Sequence, residues 1–327
     1  MSLTLLATTH RVAPGLLTWK AWDVLRSAGR VLVRPGHPLL PYLRDAGVAA
    51  EETAVPDPAA LVAAARDGDV VWVAAPEGDE DLMREIGALV VNDPLDVEVL
   101  HGSYDLPGAR LLDLVAVMDT LRRDCPWDRK QTHETLVPYL LEEAYEVLDT
   151  IENGDYGALR EELGDVLMQV AFHAVVAAER TDETAFTVDD VAAGIVDKLV
   201  RRHPHVFGDV SVSGADEVNA NWEQIKAAER AEKSGTEASA LDGVAMGQPS
   251  LSLAAQLQRR AGRMGAPDDL APATGQDAGT GNDLGIRLFA LVREAADRGL
   301  DAEAELRAVS RVFRDRVRAW ERRRQRD

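Results

Sequence analysis

The chain has one cysteine, Cys125, in 327 residues. This excludes an internal disulfide framework and fits a reducing compartment. Long apolar runs are also missing: the longest, residues 166–178, is interrupted by Gln169 and His173 and falls short of the roughly 20 residues that a spanning helix needs. No membrane partner is expected. The apolar start at residues 3–7 is too short for a secretory signal and has no basic stretch before it, so the expected location is the cytoplasm. Basic residues are in deficit, 36 Lys and Arg against 56 Asp and Glu, giving a net charge of −20. A polyanionic nucleic acid is therefore not expected as a partner. The length suffices for two or three domains with their own cores.

Some of the acidic residues fall in a pattern. Residues 136–176 read as two periodic helical runs joined at Asn153-Gly154-Asp155, where Gly ends one helix and Asp starts the next. If the hairpin closes at Gly154, Glu146 and Glu162 are each eight residues from the turn, and Glu143 and Asp165 are each eleven. An i, i+3 pair on one helix then faces an i, i+3 pair on the other. The stripe carrying Glu162 and Asp165 continues into Gln169, Phe172 and Val176, and that of Glu143 and Glu146 runs back through Tyr139 and Leu136. The carboxylates thus share a stripe that becomes core. A second apolar side runs through Val137, Leu140, Leu141, Ala144 and Leu148 on the first helix and Leu159, Leu163, Val166, Leu167 and Val170 on the second. Helices apolar on two sides need more partners than one hairpin supplies, which predicts a homodimer. Four buried carboxylates need cations to remain charged, and all-oxygen ligation favours Mg²⁺, with Mn²⁺ as substitute, over zinc.

Residues 1–105 read as α/β, with β-type runs at 3–7, 31–33, 70–75 and 88–91 and a helix over 17–28. An amphipathic helix over 108–124 precedes a loop whose Lys130 and Gln131 are candidates for contacting a base or phosphate. Thr187 and Asp190 form a capping box for a helix running to His203. Its stripe Val191, Ile195, Lys198, Arg202 sets two cations on the side expected to face the core, which suits phosphate ligation. His203 and His205 read as structural. Residues 216–230 form another helix with Trp222 and Lys226 on one face, Trp222 being core or a cover over a ligand. After a linker at 231–235, residues 266–283 read as a flexible loop. Leu284-Gly285 with Leu288-Phe289 then echoes Leu163-Gly164 with Leu167-Met168, an internal repeat. The terminal arginines Arg318, Arg322, Arg323, Arg324 and Arg326 read as a frayed helix end.

Glu142-Glu143-Ala144-Tyr145-Glu146 followed by Glu162-Leu163-Gly164-Asp165 resembles the EExxE…ExxD signature of the MazG family of nucleoside triphosphate pyrophosphohydrolases. Cys125-Pro126-Trp127-Asp128, Gln131-Thr132, the run Arg201-Arg202-His203-Pro204-His205-Val206-Phe207 and Trp222-Glu223-Gln224-Ile225-Lys226 are similar to that family as well. The resemblance spans about residues 108 to 230. It implies hydrolysis of a nucleoside triphosphate to monophosphate and pyrophosphate by attack at the α-phosphorus, as nucleotide-pool housecleaning. Metal ligands would be Glu143, Glu146, Glu162 and Asp165, with Glu142 a candidate for orienting or deprotonating water. Lys198, Arg201, Arg202, Lys226 and Lys130 would contact substrate, and Trp222 would close over the nucleotide. The segment from Ala13 to Thr18 faintly resembles the start of tetrapyrrole methylases, but the glycine-rich loop of that family is reduced to Thr8-Thr9-His10-Arg11, and no S-adenosylmethionine binding is expected. The expected fold is α+β: a small α/β domain at 1–105, an all-α catalytic domain at 106–235 and a degenerate second repeat at 236–327. Aligning Gly285 with Gly164 puts Ile286 at the place of Asp165 and Asp283 at that of Glu162, so the second repeat is expected to be catalytically silent. The competing readings are a ferritin-like di-metal protein, whose Glu-x-x-His motif occurs here only at Glu98–His101, and a non-catalytic dimerisation or regulatory module.

Overall fold

The computed structural model describes residues 1–54, 56–76, 78–91, 95–234, 239–267, 270–271 and 283–324, side chains at 219, 223, 227, 230–234 and 283 excepted. The fold is α+β. Its elements run β1 (Ser2–Ala7), α1 (Trp19–Ser27), β2 (Arg30–Val33), α2 (Leu40–Asp45), β3 (Ala50–Glu52), α3 (Pro58–Asp67), β4 (Val70–Val73), α4 (Glu80–Val90) and β5 (Asp96–His101). From there the described chain is helical: α5 (Arg110–Asp124), α6 (His133–Asn153), α7 (Tyr156–Ala178), α8 (Val188–Arg202), α9 (Pro204–Phe207), α10 (Ala215–Ser234), α11 (Ser250–Arg263), α12 (Asp283–Asp297) and α13 (Ala302–Arg324). Two compact units, Met1–Ile195 and Val196–Asp327, divide the chain within α8, whereas the residue pattern draws its boundaries at 105 and 235.

The strands form one parallel sheet in the order β3-β2-β4-β1-β5. Parallel strands covered by helices on both faces are apolar nearly throughout, as Val70, Val71, Trp72 and Val73 of β4 are, all buried. Successive side chains alternate sides. Leu3, Leu5, Val70 and Trp72 pack with Leu61, Val62 and Ala65 of α3 and Leu82 and Ile86 of α4. Leu6, Val31, Val33, Val71 and Val73 pack with Ala21 and Leu25 of α1 and Leu43 of α2. Each fully buried side chain of this size contributes about 1.5–3 kcal/mol of transfer free energy. The buried Asp79 carboxylate is satisfied by Trp72 Nε1 at 2.9 Å, the Ala75 amide at 3.1 Å and the guanidinium of Arg34.

Two sequence expectations for this layer need correction. Residues 88–91 are not a strand: residues 88–90 end α4, whose Leu82 and Ile86 bury at helical spacing, because a short apolar run does not by itself distinguish helix from strand. β3 and β5 are the strands that were not anticipated. Both lie at sheet edges and carry acidic residues, Glu51 and Glu52 on one and Asp96 and Glu98 on the other, which suits an edge and weakens the apolar signal.

The loop after β1 is occupied in tying the sheet to α5. Arg11 donates through Nε at 2.9 Å and a terminal nitrogen at 2.6 Å to the two carboxylate oxygens of Asp113, and through its other terminal nitrogen at 2.6 Å to Asp105. Thr9 Oγ1 donates to Asp105 at 2.7 Å. His10 Nε2 lies 2.6 Å from Asp113. These contacts hold the Asp113 carboxyl well below the usual range, the Arg11 hydrogen bond being the largest cause.

In the second unit, Gln258 of α11 donates to the Phe289 carbonyl of α12 at 2.7 Å, and Val292 is buried beside them. α13 contains no buried residue, and Arg318, Arg322, Arg323 and Arg324 are exposed toward its end. The expected flexible loop at 266–283 falls largely outside the described residues, as do the side chain of Asp283 and Arg326.

Candidate active site

The hairpin is built as its turn chemistry dictates. α6 ends at Gly154 with φ 71°, ψ 21°, a left-handed conformation that glycine adopts without Cβ strain. The Asp155 amide donates back to the Thr150 carbonyl at 3.0 Å, and the Asp155 side chain accepts from the Ala158 amide at 3.0 Å to start α7. At the other end of α6, Thr132 and Thr135 cap each other reciprocally, at 3.4 Å and 2.8 Å. Leu136 and Phe172, each eighteen residues from Gly154, meet in one core cluster with Met118 of α5 and Ala171. The equal-distance rule therefore holds along the hairpin.

The same register brings the carboxylates together. One oxygen each from Glu143, Glu146 and Glu162 lies within 4.8 Å of the others. Asp165 stands beside them, its charge acting on both Glu143 and Glu162. Glu143 is pushed above the usual carboxylate range by burial, then by Asp165 and Glu146; Glu162 is raised by burial and then by Glu146. The expectation of four buried carboxylates needs correction. Glu143, Glu162 and Asp165 are half-buried and Glu146 is exposed, because the core stripe closes only at Leu136, Gln169 and Phe172, farther from the turn. Glu142 is exposed and outside the trio, although its charge also reaches Glu143.

This donor set fits a hard divalent cation. Oxygens sharing one Mg²⁺, each about 2.1 Å from it, lie about 3 to 4.2 Å apart, so side-chain rotations that draw the trio somewhat closer let it share one ion. Each charge that raises its neighbour's pKa would also be relieved by the cation.

The cations behave differently from one another. Lys130 and Lys198 are exposed. Arg201 Nε donates to Glu229 at 2.9 Å and Arg202 donates to it at 2.5 Å, which draws the Glu229 carboxyl down to about 2, Arg202 contributing most. The stripe Val191, Ile195, Lys198 and Arg202 is not a core face: α8 has no buried residue, although the Arg202 side chain is largely covered. Lys226 Nζ stands 3.8 Å from the centre of the Trp222 ring, a cation–π contact, and Trp222 Nε1 is buried without a hydrogen-bond partner among the described residues. Gln131 is occupied structurally, donating to the Trp127 carbonyl at 3.0 Å and accepting from Thr135 Oγ1 at 2.8 Å. Glu98 and His101 lie on β5, away from the helical hairpin.

Two supporting groups carry little sequence signal as a site. Arg122 donates twice to Glu179 at the end of α7, at 2.6 and 2.8 Å, and to the carbonyls of Asp128 and Gln131, which fixes the loop between α5 and α6. The adjacent pair Arg122-Arg123 at a helix end is the only hint of it. His133 and His173 share a hydrogen bond between their Nδ1 atoms at 2.8 Å, with rings 6° from parallel. Burial, then His133, holds His173 below the ordinary imidazole range, and its Nε2 finds no partner among the described residues.

A helical hairpin that brings Glu143, Glu146 and Glu162 together carries the donor set described above, and comparison with known proteins identifies the family. The MazG nucleotide pyrophosphohydrolase domain matches residues 131–207. An uncharacterised 26.1 kDa protein of Streptomyces cacaoi is 48% identical over 252 residues, 76% of this chain and 99% of that protein. A nucleoside triphosphate pyrophosphohydrolase of Escherichia coli K12 is 41% identical over 231 residues, 64% of this chain and 86% of that protein. A nucleoside triphosphate pyrophosphohydrolase/pyrophosphatase MazG of Thermotoga maritima is 36% identical over 225 residues, 64% of this chain and 84% of that protein. The chain belongs to the MazG family of nucleotide pyrophosphohydrolases.

The histidine pair yields a pH prediction. Because the folded state favours neutral His173, its stabilisation is full above the unfolded value of about 6.5 and is lost as pH falls through the depressed folded value. The urea midpoint of the parent should fall more steeply as pH drops below about 6.5 than that of His173→Leu. Parallel midpoint curves for the two proteins would contradict the assignment.

Proposed function

We propose that this chain hydrolyses nucleoside triphosphates, ribo or deoxy, to the monophosphate and pyrophosphate, clearing unwanted nucleotides from the pool. The observation that carries the reading is the convergence of Glu143, Glu146 and Glu162 oxygens within 4.8 Å beside Asp165. In the proposal these four side chains hold Mg²⁺, or Mn²⁺ in its place. When bound, the cation supplies charge neutralisation and Lewis acidity at the triphosphate. Raised carboxylate pKa values without metal and full ionisation with it make loading pH-dependent. Lys198, Arg201, Arg202, Lys226 and Lys130 are proposed to hold phosphate oxygens on their charge and residue type, and Trp222 to cover the nucleotide. Glu142, exposed one residue before the ligand Glu143, is the proposed group to orient water or take its proton, with attack at the α-phosphorus.

A homodimer belongs to the same reading. Val137, Leu141, Leu163, Leu167 and Val170 are each about two-fifths to one-half exposed in the single chain, and pairing this side of the hairpin with that of a second copy would bury it. Sedimentation velocity should give a dimer that Leu163→Glu converts to monomer; a parent that sediments as a monomer would contradict this part.

The activity is tested by incubating the protein with nucleoside triphosphates and Mg²⁺ and measuring pyrophosphate separately from phosphate. Pyrophosphate should appear one for one with monophosphate, and Glu162→Gln, which keeps shape but removes a ligand charge, should lower turnover on the order of a hundredfold. Phosphate alone, or undiminished turnover of Glu162→Gln at limiting Mg²⁺, would overturn it.

A further inference from the structure

The carboxylate face of the hairpin carries an aromatic pair that the reading so far leaves without a role. Tyr139 lies one turn before Glu143 on the stripe that leads to Glu146, about 6 Å along the axis at 1.5 Å per residue. Trp127, from the loop before α6, meets Tyr139 edge-on, with centroids 5.8 Å apart and planes at 78°. Beneath it lies Phe172, 6.3 Å away and buried. Both outer rings remain substantially open, Trp127 50% and Tyr139 40% exposed. The platform is held from behind. Gln131 Nε2 donates to the Trp127 carbonyl, and Arg122 fixes the carbonyls of Asp128 and Gln131. A large aromatic ring left half in water on a fixed loop forgoes burial free energy, which a planar ligand recovers.

We propose that Trp127, with Tyr139 beside it, is the stacking platform for the nucleobase of the substrate. The inference rests on the reading that the neighbouring carboxylates take the triphosphate through metal. The axial offset from the aromatic pair to the carboxylates is then bridged by the sugar. Trp222, proposed above to cover the nucleotide, is not the stacking face for the base, because Lys226 already stands over its ring. Stacking on an indole accepts any base and favours the larger purine ring. The platform therefore gives affinity for nucleotides over base-free polyphosphates, with broad tolerance of the base.

The test is calorimetric titration, with Mg²⁺ present, of α,β-methylene-ATP and of inorganic tripolyphosphate into the parent, Trp127→Leu, Trp127→Phe and Tyr139→Leu. Trp127→Leu should weaken α,β-methylene-ATP on the order of tenfold and leave tripolyphosphate unchanged. Trp127→Phe should recover most of the loss, and Tyr139→Leu should show a smaller one. Circular dichroism and sedimentation establish that each variant keeps its fold and assembly. Equal nucleotide affinity in parent and Trp127→Leu overturns the proposal, as does an equal loss for both ligands. A Trp127→Leu protein with altered sedimentation and unaltered nucleotide affinity also overturns it, and makes the rings part of an interface between copies. If the parent binds tripolyphosphate as tightly as the nucleotide, the base platform fails while the triphosphate reading stands; if it binds neither, both fail.

Discussion

Like-charge repulsion among Glu143, Glu146, Glu162 and Asp165 is the constraint on which the rest of this structure depends. Glu143 and Glu162, half-buried, are displaced toward their neutral forms by burial first and then by their acidic neighbours, so without cations the face opposes the closure of the hairpin that creates it. Closure is enforced elsewhere. The left-handed Gly154 and the Asp155 cap set the register at the turn, and Leu136, Phe172, Ala171 and Met118 clamp the helices two to three turns away. The carboxylates sit between these anchors, on the part of the stripe that remains accessible.

Support for the clamp extends back into the sheet. Arg11, after β1, holds Asp113 at the start of α5. α5 places Met118 against the hairpin and Arg122 against Glu179 and the loop that carries Trp127. Within Met1–Ile195 the α/β layer thus positions the helix that braces the hairpin.

The hairpin was legible in the sequence because each determinant is local: a Gly-Asp turn, helical periodicity, and i, i+3 spacing counted from one residue. Helix starts were legible for the same reason, as the Thr187–Asp190 box shows, with amide-to-carboxylate and hydroxyl contacts both at 2.8 Å. Burial was less legible. Periodicity marks a stripe but not where along it the core ends, so it sets Glu146 and the α8 stripe deeper than they lie. The edge strands β3 and β5 escape the pattern because acidic residues interrupt their apolar runs. The roles of Arg11, Arg122 and the His133–His173 pair depend on partners 40 to 102 positions away in sequence, and no spacing rule reaches that far.

The central claim is that the carboxylate face is a metal site whose repulsion is relieved by the ion. The most direct measurement is the thermal midpoint as a function of Mg²⁺ at constant ionic strength, for the parent and for Glu162→Gln. The account predicts that Mg²⁺ raises the parent midpoint progressively. Metal-free Glu162→Gln should melt at or above the metal-free parent, because one repelling charge is gone, and should respond weakly to Mg²⁺. A parent midpoint indifferent to Mg²⁺, or an equal rise in both proteins, would contradict it.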